Sequence, residues 1–353
     1  MPTEIRKSHR SSVSKPNSIN AQTMNHFTKT WACFAFLSLG LLLSARAEEP
    51  HRVTLGMYVN DIQTVDLTTY SYAVDLYLWF RWKDPQLDPV AQFEFMNTFD
   101  PESHVQTKLY DEPVPQPDGS LYQIVRHQGL FSAKFPLHDY PFDRQLLTVT
   151  VEDTTMTAGQ LVYVADTEPL TVNGEIRLPG YKIGTARAEI RNKPYPTAFG
   201  DLSQPDQEPY SRAEFIIPIS RPPVSGLLKT FVPVILIILS AAFALLLDPT
   251  HVEARIGLAI TALLTLVAMQ FTMLSGLPEV AYLTLIDQVY LASYLYILVV
   301  IGIVVQGTRV DQVGEMRGEV HEAVPHPGRS ICLSVTGGYL VVVGAIVWIN
   351  MAT

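Results

Sequence analysis

The pattern of apolar and polar residues changes near residue 221 and divides the chain into two parts. Before that point, apolar residues recur at every second position, most clearly in residues 72–82, with polar or aromatic residues between them. Similar short runs occur at residues 53–59, 121–126, 130–135, 146–151, 161–164, 182–190 and 215–219. Turn-forming pairs such as Asp118-Gly119 and Asn173-Gly174 separate them. Many short strands with frequent turns predict an all-β, antiparallel, immunoglobulin-like sandwich over residues 48–221.

The second part, residues 222–353, contains four long apolar segments. They cover residues 227–247, 253–275, 281–305 and 331–352. Each is long enough for a membrane-spanning helix, which needs about 20 residues. The 306–330 link carries Arg309, Arg317 and Arg329, and cytoplasmic loops are rich in such cations. The pattern predicts a multi-pass protein of the cell membrane with a four-helix transmembrane bundle, a short cytoplasmic link and an extracellular or periplasmic sandwich.

The N-terminus is predicted to carry a secretory signal peptide at residues 24–47. Lys29 supplies its positive end, residues 31–43 its apolar core, and Ala45-Arg46-Ala47 a cleavage site with small residues. The alternative is a short membrane anchor, although the apolar core is short for a span. Residues 1–23 are polar and unpatterned, and we interpret them as disordered or as upstream of a true start at Met24.

The second apolar segment has one face that is not uniformly apolar. Steps of three or four residues place seven side chains on that face: Glu253, Gly257, Thr261, Leu264, Ala268, Phe271 and Ser275. Two interpretations remain open from the residues alone. Small residues at this spacing are typical of tight helix packing, whereas a polar stripe with two bulky apolar positions suits a pore with hydrophobic constrictions.

Composition narrows the functional classes further. The chain has 34 acidic and 25 basic residues and a formal charge of −9, which argues against a nucleic-acid partner. Its two cysteines, Cys33 and Cys332, fall in the predicted signal and in the last span, so the sandwich has no disulfide. The sequence has no Gly-rich phosphate loop, nucleophile elbow or metal-ligand spacing. We therefore expect no enzyme activity, no cofactor and no metal.

Five short motifs occur in an order that resembles the pentameric ligand-gated ion channels, the superfamily of acetylcholine and glycine receptors. They are Trp-Lys-Asp at residues 82–84, Tyr-Pro-Phe-Asp at 140–143, Ile-Ser-Arg at 219–221, Pro233, and Leu277-Pro278. The cysteines that flank the second motif in animal receptors would fall at Ala133 and Leu147, and their absence resembles the bacterial members. The family's tryptophan-proline motif is also missing, at residues 103–106.

The resemblance implies a homopentamer in membrane lipid, in which five copies of the second segment surround a pore. Glu253 would then form a carboxylate ring that favours monovalent cations. Leu264 and Phe271 would form the closed barrier, unless Phe271 only packs between helices. The neighbouring Ala254-Arg255 resembles anion-selective members instead, so an anion channel is one alternative. A non-conducting membrane-anchored sensor or binding protein is another, and a membrane-anchored hydrolase is more distant.

The family's agonist cleft implies a set of candidate ligand residues. They are Tyr110, Glu152, Asp153 and Tyr210, with Phe199 as a cap and Tyr77 from the neighbouring subunit. Tyrosine rings hold cations by cation–π attraction, so a small amine is one candidate agonist. Thr154 stands where the family has a tryptophan. Protons are the other candidate stimulus, because the chain has nine histidines and an acid-rich sandwich.

Coupling of the sandwich to the pore is the last implied role. By resemblance, Arg221 at the end of the last strand faces Asp143 and an acid of the first hairpin loop. That acid is assigned to Asp66, with Asp61 nearby as the alternative. The turn containing Pro278 is expected to lie beneath these residues and to transmit their motion.

Overall fold

The computed structural model of the protein describes residues 49–200, 208–317 and 328–352. The predicted signal peptide and the residues before it lie outside these ranges, as does the middle of the predicted cytoplasmic link.

Two sheets form the N-terminal domain, and their strands within the described residues are numbered in chain order. These are β1 (His51–Asp66), β2 (Ser71–Trp82), β3 (Phe93–Phe95), β4 (Val105–Lys108), β5 (Val114–Pro115), β6 (Leu121–Ser132), β7 (Arg144–Asp153), β8 (Leu161–Val172), β9 (Lys182–Ile183), β10 (Arg187–Lys193) and β11 (Tyr210–Ser220). The first sheet has the order β4-β6-β2-β1-β8, with β5 on β6. The second has the order β10-β11-β7-β3, with β9 on β11.

The sheets pack face to face because alternate residues of each strand point inward. Leu55 of β1 pairs with Phe80 of β2, and both are fully buried. Tyr72 spans the core and donates a hydrogen bond from its hydroxyl to the Thr148 carbonyl of the other sheet, at 2.8 Å. The predicted sandwich is confirmed.

Two details of the sandwich differ from the sequence prediction. The pair β1 and β8 is parallel, because the chain crosses from β7 in one sheet to the edge of the other. The runs at 121–126 and 130–135 lie largely on one strand, β6, which continues through Gly129. A Cβ atom at Gly129 would lie 2.5 Å from His104 Nδ1, so this glycine marks a close approach of the His104 ring rather than a turn.

Among the described residues, five α-helices accompany the strands. The short α1 (Pro89–Gln92) lies in the sandwich, and α2 (Pro223–Leu246), α3 (Val252–Leu274), α4 (Leu285–Arg317) and α5 (Gly328–Ala352) follow it. The last four are long and apolar enough to cross a membrane. The four helices and the β-sandwich before them fit a multi-pass membrane protein.

The start of α4 lies four residues beyond the predicted start of the third span. Thr284 and Asp287 form a reciprocal cap, in which each side chain accepts a hydrogen bond from the other residue's backbone N–H. This arrangement satisfies donors that a helix N-terminus leaves free, and it sets the start at Leu285. The helix also continues past residue 305 to Arg317, into the predicted link.

Candidate functional site

The predicted stripe on α3 is exposed along its whole length in the single chain. All seven of its residues are exposed, and the exposed fractions of Leu264 and Phe271 are 64% and 71%. Three small or apolar residues on another face of the helix, Ala259, Ala262 and Leu266, are buried in the bundle. The bundle of one chain therefore leaves the stripe free.

Arg255 belongs to the buried face of α3 and not to the stripe. It is only 7% exposed, and its Nε donates a hydrogen bond to the Ala244 carbonyl at 2.8 Å. Ala244 lies in the last turn of α2, where carbonyls lack helical partners and the helix dipole is negative. Arg255 thus caps α2, while Glu253, in the first turn of α3, remains exposed.

A buried ion pair joins the end of β11 to the loop before β7. Arg221 Nε donates to Asp143 Oδ1 at 2.8 Å, and the Asp143 side chain is 1% exposed. Gln145 donates to the other carboxylate oxygen at 2.7 Å. The Arg221 guanidinium lies over the rings of Tyr140 and Tyr181, at 5.1 and 4.6 Å, and donates to the Tyr181 hydroxyl. Burial raises the pKa of Tyr181 to about 12, so its phenol stays neutral.

Asp66 does not join this pair, contrary to the predicted three-residue cluster. Its carboxylate accepts hydrogen bonds from the backbone N–H groups of Thr68 and Thr69 in the β1–β2 turn. Among the described residues, Asp66 forms no ion pair with Arg221, because this local turn holds its side chain. The rings of Tyr140 and Tyr181 contact the Arg221 guanidinium, for which the prediction expected a second acid.

The link between α3 and α4 packs against the same loop. Leu277 and Val280, on either side of Pro278, contact the sandwich core. The Tyr282 ring stacks on the His138 imidazole with centroids 3.8 Å apart, and its hydroxyl accepts a hydrogen bond from the Leu137 N–H. Sequence reasoning missed Tyr282 and His138, which carry no motif.

A cleft of about 540 Å³ opens at the other end of the sandwich. Four predicted ligand residues line it: Glu152, Asp153, Phe199 and Tyr210. Residues that the prediction missed also line it, among them Glu94, Met96 and Tyr195. Tyr195 packs edge-on against Phe199 and Tyr210, with centroids 5.4 and 5.8 Å away, so three aromatic rings share one wall. Prolines flank Tyr195 and indicate a turn, so nothing in the sequence indicated that this tyrosine lines a cleft.

The two predicted carboxylates of the cleft differ in their partners, because only Glu152 pairs with an arginine among the described residues. Glu152 pairs with Arg212 and accepts a hydrogen bond from the Tyr195 hydroxyl at 2.9 Å, so its charge is already compensated. Burial and this bond to Glu152 raise the pKa of Tyr195. Asp153 accepts backbone N–H groups of Thr155 and Met156 through Oδ1. Its Oδ2 is buried and has no hydrogen-bond partner among the described residues.

Tyr77 and Tyr110 lie outside this cleft. Tyr77 is on β2, and the Arg126 guanidinium lies 5.6 Å from its ring centroid. Arg126 also pairs with Asp75, at 2.7 Å, so the ring already faces a cation of its own chain. Tyr110 is 47% exposed in the loop after β4. A role for either tyrosine in a cleft completed by a neighbouring subunit stays a prediction.

Comparison with known proteins places these features among membrane channels, although no family model matches the chain. It is 25% identical over 275 residues to a proton-gated ion channel of Gloeobacter violaceus, covering 74% of each protein. It is 27% identical over 182 residues to a gamma-aminobutyric acid receptor subunit beta of Lymnaea stagnalis. It is 21% identical over 258 residues to a glutamate-gated chloride channel of Drosophila melanogaster.

These alignments differ in extent. They cover 51% and 67% of this chain in the last two comparisons, but only 34% and 54% of those receptors. These relatives are named as proton-gated or ligand-gated channels and receptors, which agrees with the resemblance that the sequence motifs indicated.

The Arg221–Asp143 pair predicts a large effect of Arg221→Ala on stability. Removing the guanidinium leaves a buried carboxylate without its partner, which costs about 3–5 kcal/mol. We expect the apparent melting temperature of the purified full-length protein to fall by several degrees. The matched control is Arg187→Ala, which breaks an ion pair whose side chains are 50% and 49% exposed and worth about 0–1 kcal/mol. Equal shifts for the two variants would contradict the assignment.

Proposed function

We propose that this chain, which belongs to the superfamily of pentameric ligand-gated ion channels, forms a homopentamer that conducts monovalent cations. A small amine, or a change in pH, acts on the extracellular sandwich and opens the pore. The observation that carries the proposal is the exposed stripe of α3, which begins with Glu253 and continues through Leu264 and Phe271.

Assembly around a pore would explain why the stripe is exposed in one chain, because the stripe would line the pore. Around a five-fold axis, five copies of α3 turn seven exposed positions toward a common water-filled path. Leu264 and Phe271 then narrow that path with apolar rings, which close a channel by excluding water. Five Glu253 carboxylates at one mouth concentrate cations and repel anions.

An anion-selective channel is the second candidate. The sequence Ala254-Arg255 favours it, and one relative is named as a glutamate-gated chloride channel. The contact between Arg255 and the Ala244 carbonyl argues against it, because that side chain lies in the bundle and its charge faces the end of α2. A non-conducting sensor is the third candidate, and it predicts no ion flux at all.

The cleft suits a small organic amine. Glu94, Glu152 and Asp153 line it, and Arg212 compensates only Glu152. The three aromatic rings of Tyr195, Phe199 and Tyr210 offer cation–π attraction of about 0.5–2 kcal/mol each. Asp153 has no basic partner among the described residues, and its Oδ2 is buried. It accepts an ammonium group once the side chain turns toward the cleft.

Two paired strands connect the cleft to the pore. Asp153 ends β7 and Tyr210 begins β11 at the cleft, and the strands then run side by side to the pair Arg144–Ser220. The next residues are Asp143 and Arg221, which meet in the buried ion pair. At about 3.4 Å per residue, this ladder spans the sandwich, so a shift at the cleft reaches the Pro278 turn and α3.

Cation selectivity is tested by recording currents from the purified protein in planar bilayers under a NaCl gradient. The stimuli are a series of small amines and stepwise changes in pH. We expect reversal near the sodium equilibrium potential, and Glu253→Gln should move it toward zero, because the carboxylate ring is lost. Glu279→Gln is the matched control, since this exposed acid lies beyond the other end of α3.

Reversal near the chloride potential would contradict cation selectivity and favour the Arg255 alternative. If no stimulus opens the wild-type protein, Leu264→Ala removes one apolar ring and should give a constitutive current. Silence of that variant, with intact pentamers, would overturn the channel proposal.

The amine cleft predicts a specific effect of Asp153→Asn. The variant keeps the oxygen that accepts the Thr155 and Met156 N–H groups, but it replaces the other carboxylate oxygen with an uncharged amide nitrogen. Hydrogen bonds to charged groups contribute about 1.5–3 kcal/mol, so we expect the half-maximal amine concentration to rise about ten- to hundredfold. Glu175→Gln, an exposed acid far along the chain, serves as control. An unchanged dose–response curve would place the amine elsewhere.

A further inference from the structure

Two histidines form a hydrogen-bonded pair inside the sandwich. His127 on β6 is 4% exposed, and His104 lies just before β4. His104 Nδ1 and His127 Nε2 are 2.6 Å apart, and His104 Nε2 lies 2.6 Å from the Leu130 carbonyl. Neither histidine has a role in the proposed pore, cleft or coupling pair.

The hydrogen bonds assign the protons of the pair. A carbonyl only accepts, so His104 Nε2 carries a hydrogen and donates it to Leu130. In the neutral ring, His104 Nδ1 then accepts from His127 Nε2–H. His127 Nδ1 is left with a lone pair, and it is buried without a hydrogen-bond partner among the described residues. The two hydrogen bonds therefore fit a neutral pair of rings.

The surroundings of the pair disfavour a positive charge. The ring of Phe95 lies 4.3 Å from His127, and Phe131 lies 5.2 Å from His104 and 5.8 Å from His127, between centroids. Gly129 leaves the space that the His104 ring fills. Burial, with a smaller contribution from His104, lowers the pKa of His127 to about 4.

Charged side chains on the neighbouring strands are either paired with each other or exposed to solvent. Asp75 of β2 and Arg126 of β6 pair with each other, and both alternate with residues that face the core. Glu94 of β3 is exposed at the cleft, and Lys108 of β4 is exposed to solvent. Within the described residues, no carboxylate contacts the His127 ring and could compensate a proton there.

The pair lies directly behind the amine cleft. Phe95 packs on His127, while its neighbours Glu94 and Met96 line the cleft. His104 also begins the segment that leads through β4 to Tyr110. A movement of these two rings therefore displaces a wall of the cleft.

We propose that His104 and His127 form a proton-binding site that holds β3 and residues 103–108 in place when neutral and releases them when protonated. Acid then changes the shape of the amine cleft, so the pair adds a proton response to the ligand site. This inference rests on the proposed function for its physiological meaning, but not for its test.

The direction of the response follows from proton binding. A released histidine titrates near its ordinary value of about 6.5, whereas the packed ring titrates near pH 4. The released state binds more protons between these values, so the packing weakens as pH falls through this window. At pH 5, the opening equilibrium rises about thirtyfold relative to pH 7.5.

Hydrogen exchange measured by mass spectrometry tests the proposal on the full-length protein in detergent. The labelling times at pH 7.5 and pH 5.0 are adjusted for the pH dependence of the intrinsic rate of amide hydrogen exchange. Peptides covering residues 93–108 and 121–132 should lose at least tenfold protection at pH 5.0 in the wild-type protein. His127→Gln keeps a donor for His104 but cannot titrate, so it should stay protected at both pH values.

His51→Gln is the control, because it removes a partly exposed histidine that faces Asp84 on the surface; it should respond to acid like the wild-type protein. Acid-independent exchange in the wild type, or unchanged acid sensitivity in His127→Gln, would overturn the proposal. If His127→Gln does not fold, His127→Phe fills the same aromatic site without a titratable group and gives the same comparison.

The readout separates this inference from the channel proposal. Acid-sensitive exchange in a protein that carries no current would contradict only the channel. Acid-independent exchange in a protein that conducts in response to amines would contradict only the proton site.

Discussion

The hydrogen bond from Arg255 to the Ala244 carbonyl fixes how α3 is rotated within the bundle. It buries a guanidinium against the end of α2, where the helix dipole favours a cation. Ala259, Ala262 and Leu266 follow Arg255 at helical spacing and pack in the apolar core. The stripe from Glu253 to Ser275 is left outside as a consequence. The polarity of the proposed pore therefore depends on a contact that is not itself in the pore.

The sandwich and the helices are joined through buried polar contacts as well as apolar packing. Arg221 and Asp143 hold the last strand to the loop before β7, and Tyr282 ties the α3–α4 link to that loop. The same strands, β7 and β11, reach the cleft at their far ends. One hydrogen-bonded ladder thus connects an acidic, aromatic cleft with the turn above α3, and the buried histidine pair lies beside the cleft end of that ladder.

Sequence patterns predicted the parts that depend on local periodicity. The alternation in residues 72–82 and the stripe on α3 follow from geometry within one element, and the family motifs placed Arg221 and Asp143 together. The parts that failed depend on tertiary contacts. The side chain of Asp66 is held by its own turn, and Arg212 compensates Glu152 from a neighbouring strand. His104, just before β4, meets His127 of β6. No spacing along the chain encodes these contacts.

Solvent access along α3 tests the central claim most directly. Thr261→Cys and Ala262→Cys are compared in a background that carries Cys33→Ser and Cys332→Ser. The full-length protein in liposomes is treated with a charged thiol reagent. Thr261 lies on the exposed stripe, and Ala262, its neighbour in sequence, is 3% exposed. The account predicts rapid modification of Thr261→Cys and protection of Ala262→Cys. Protection of both, or the reverse order, would contradict a water-filled pore lined by this face of α3.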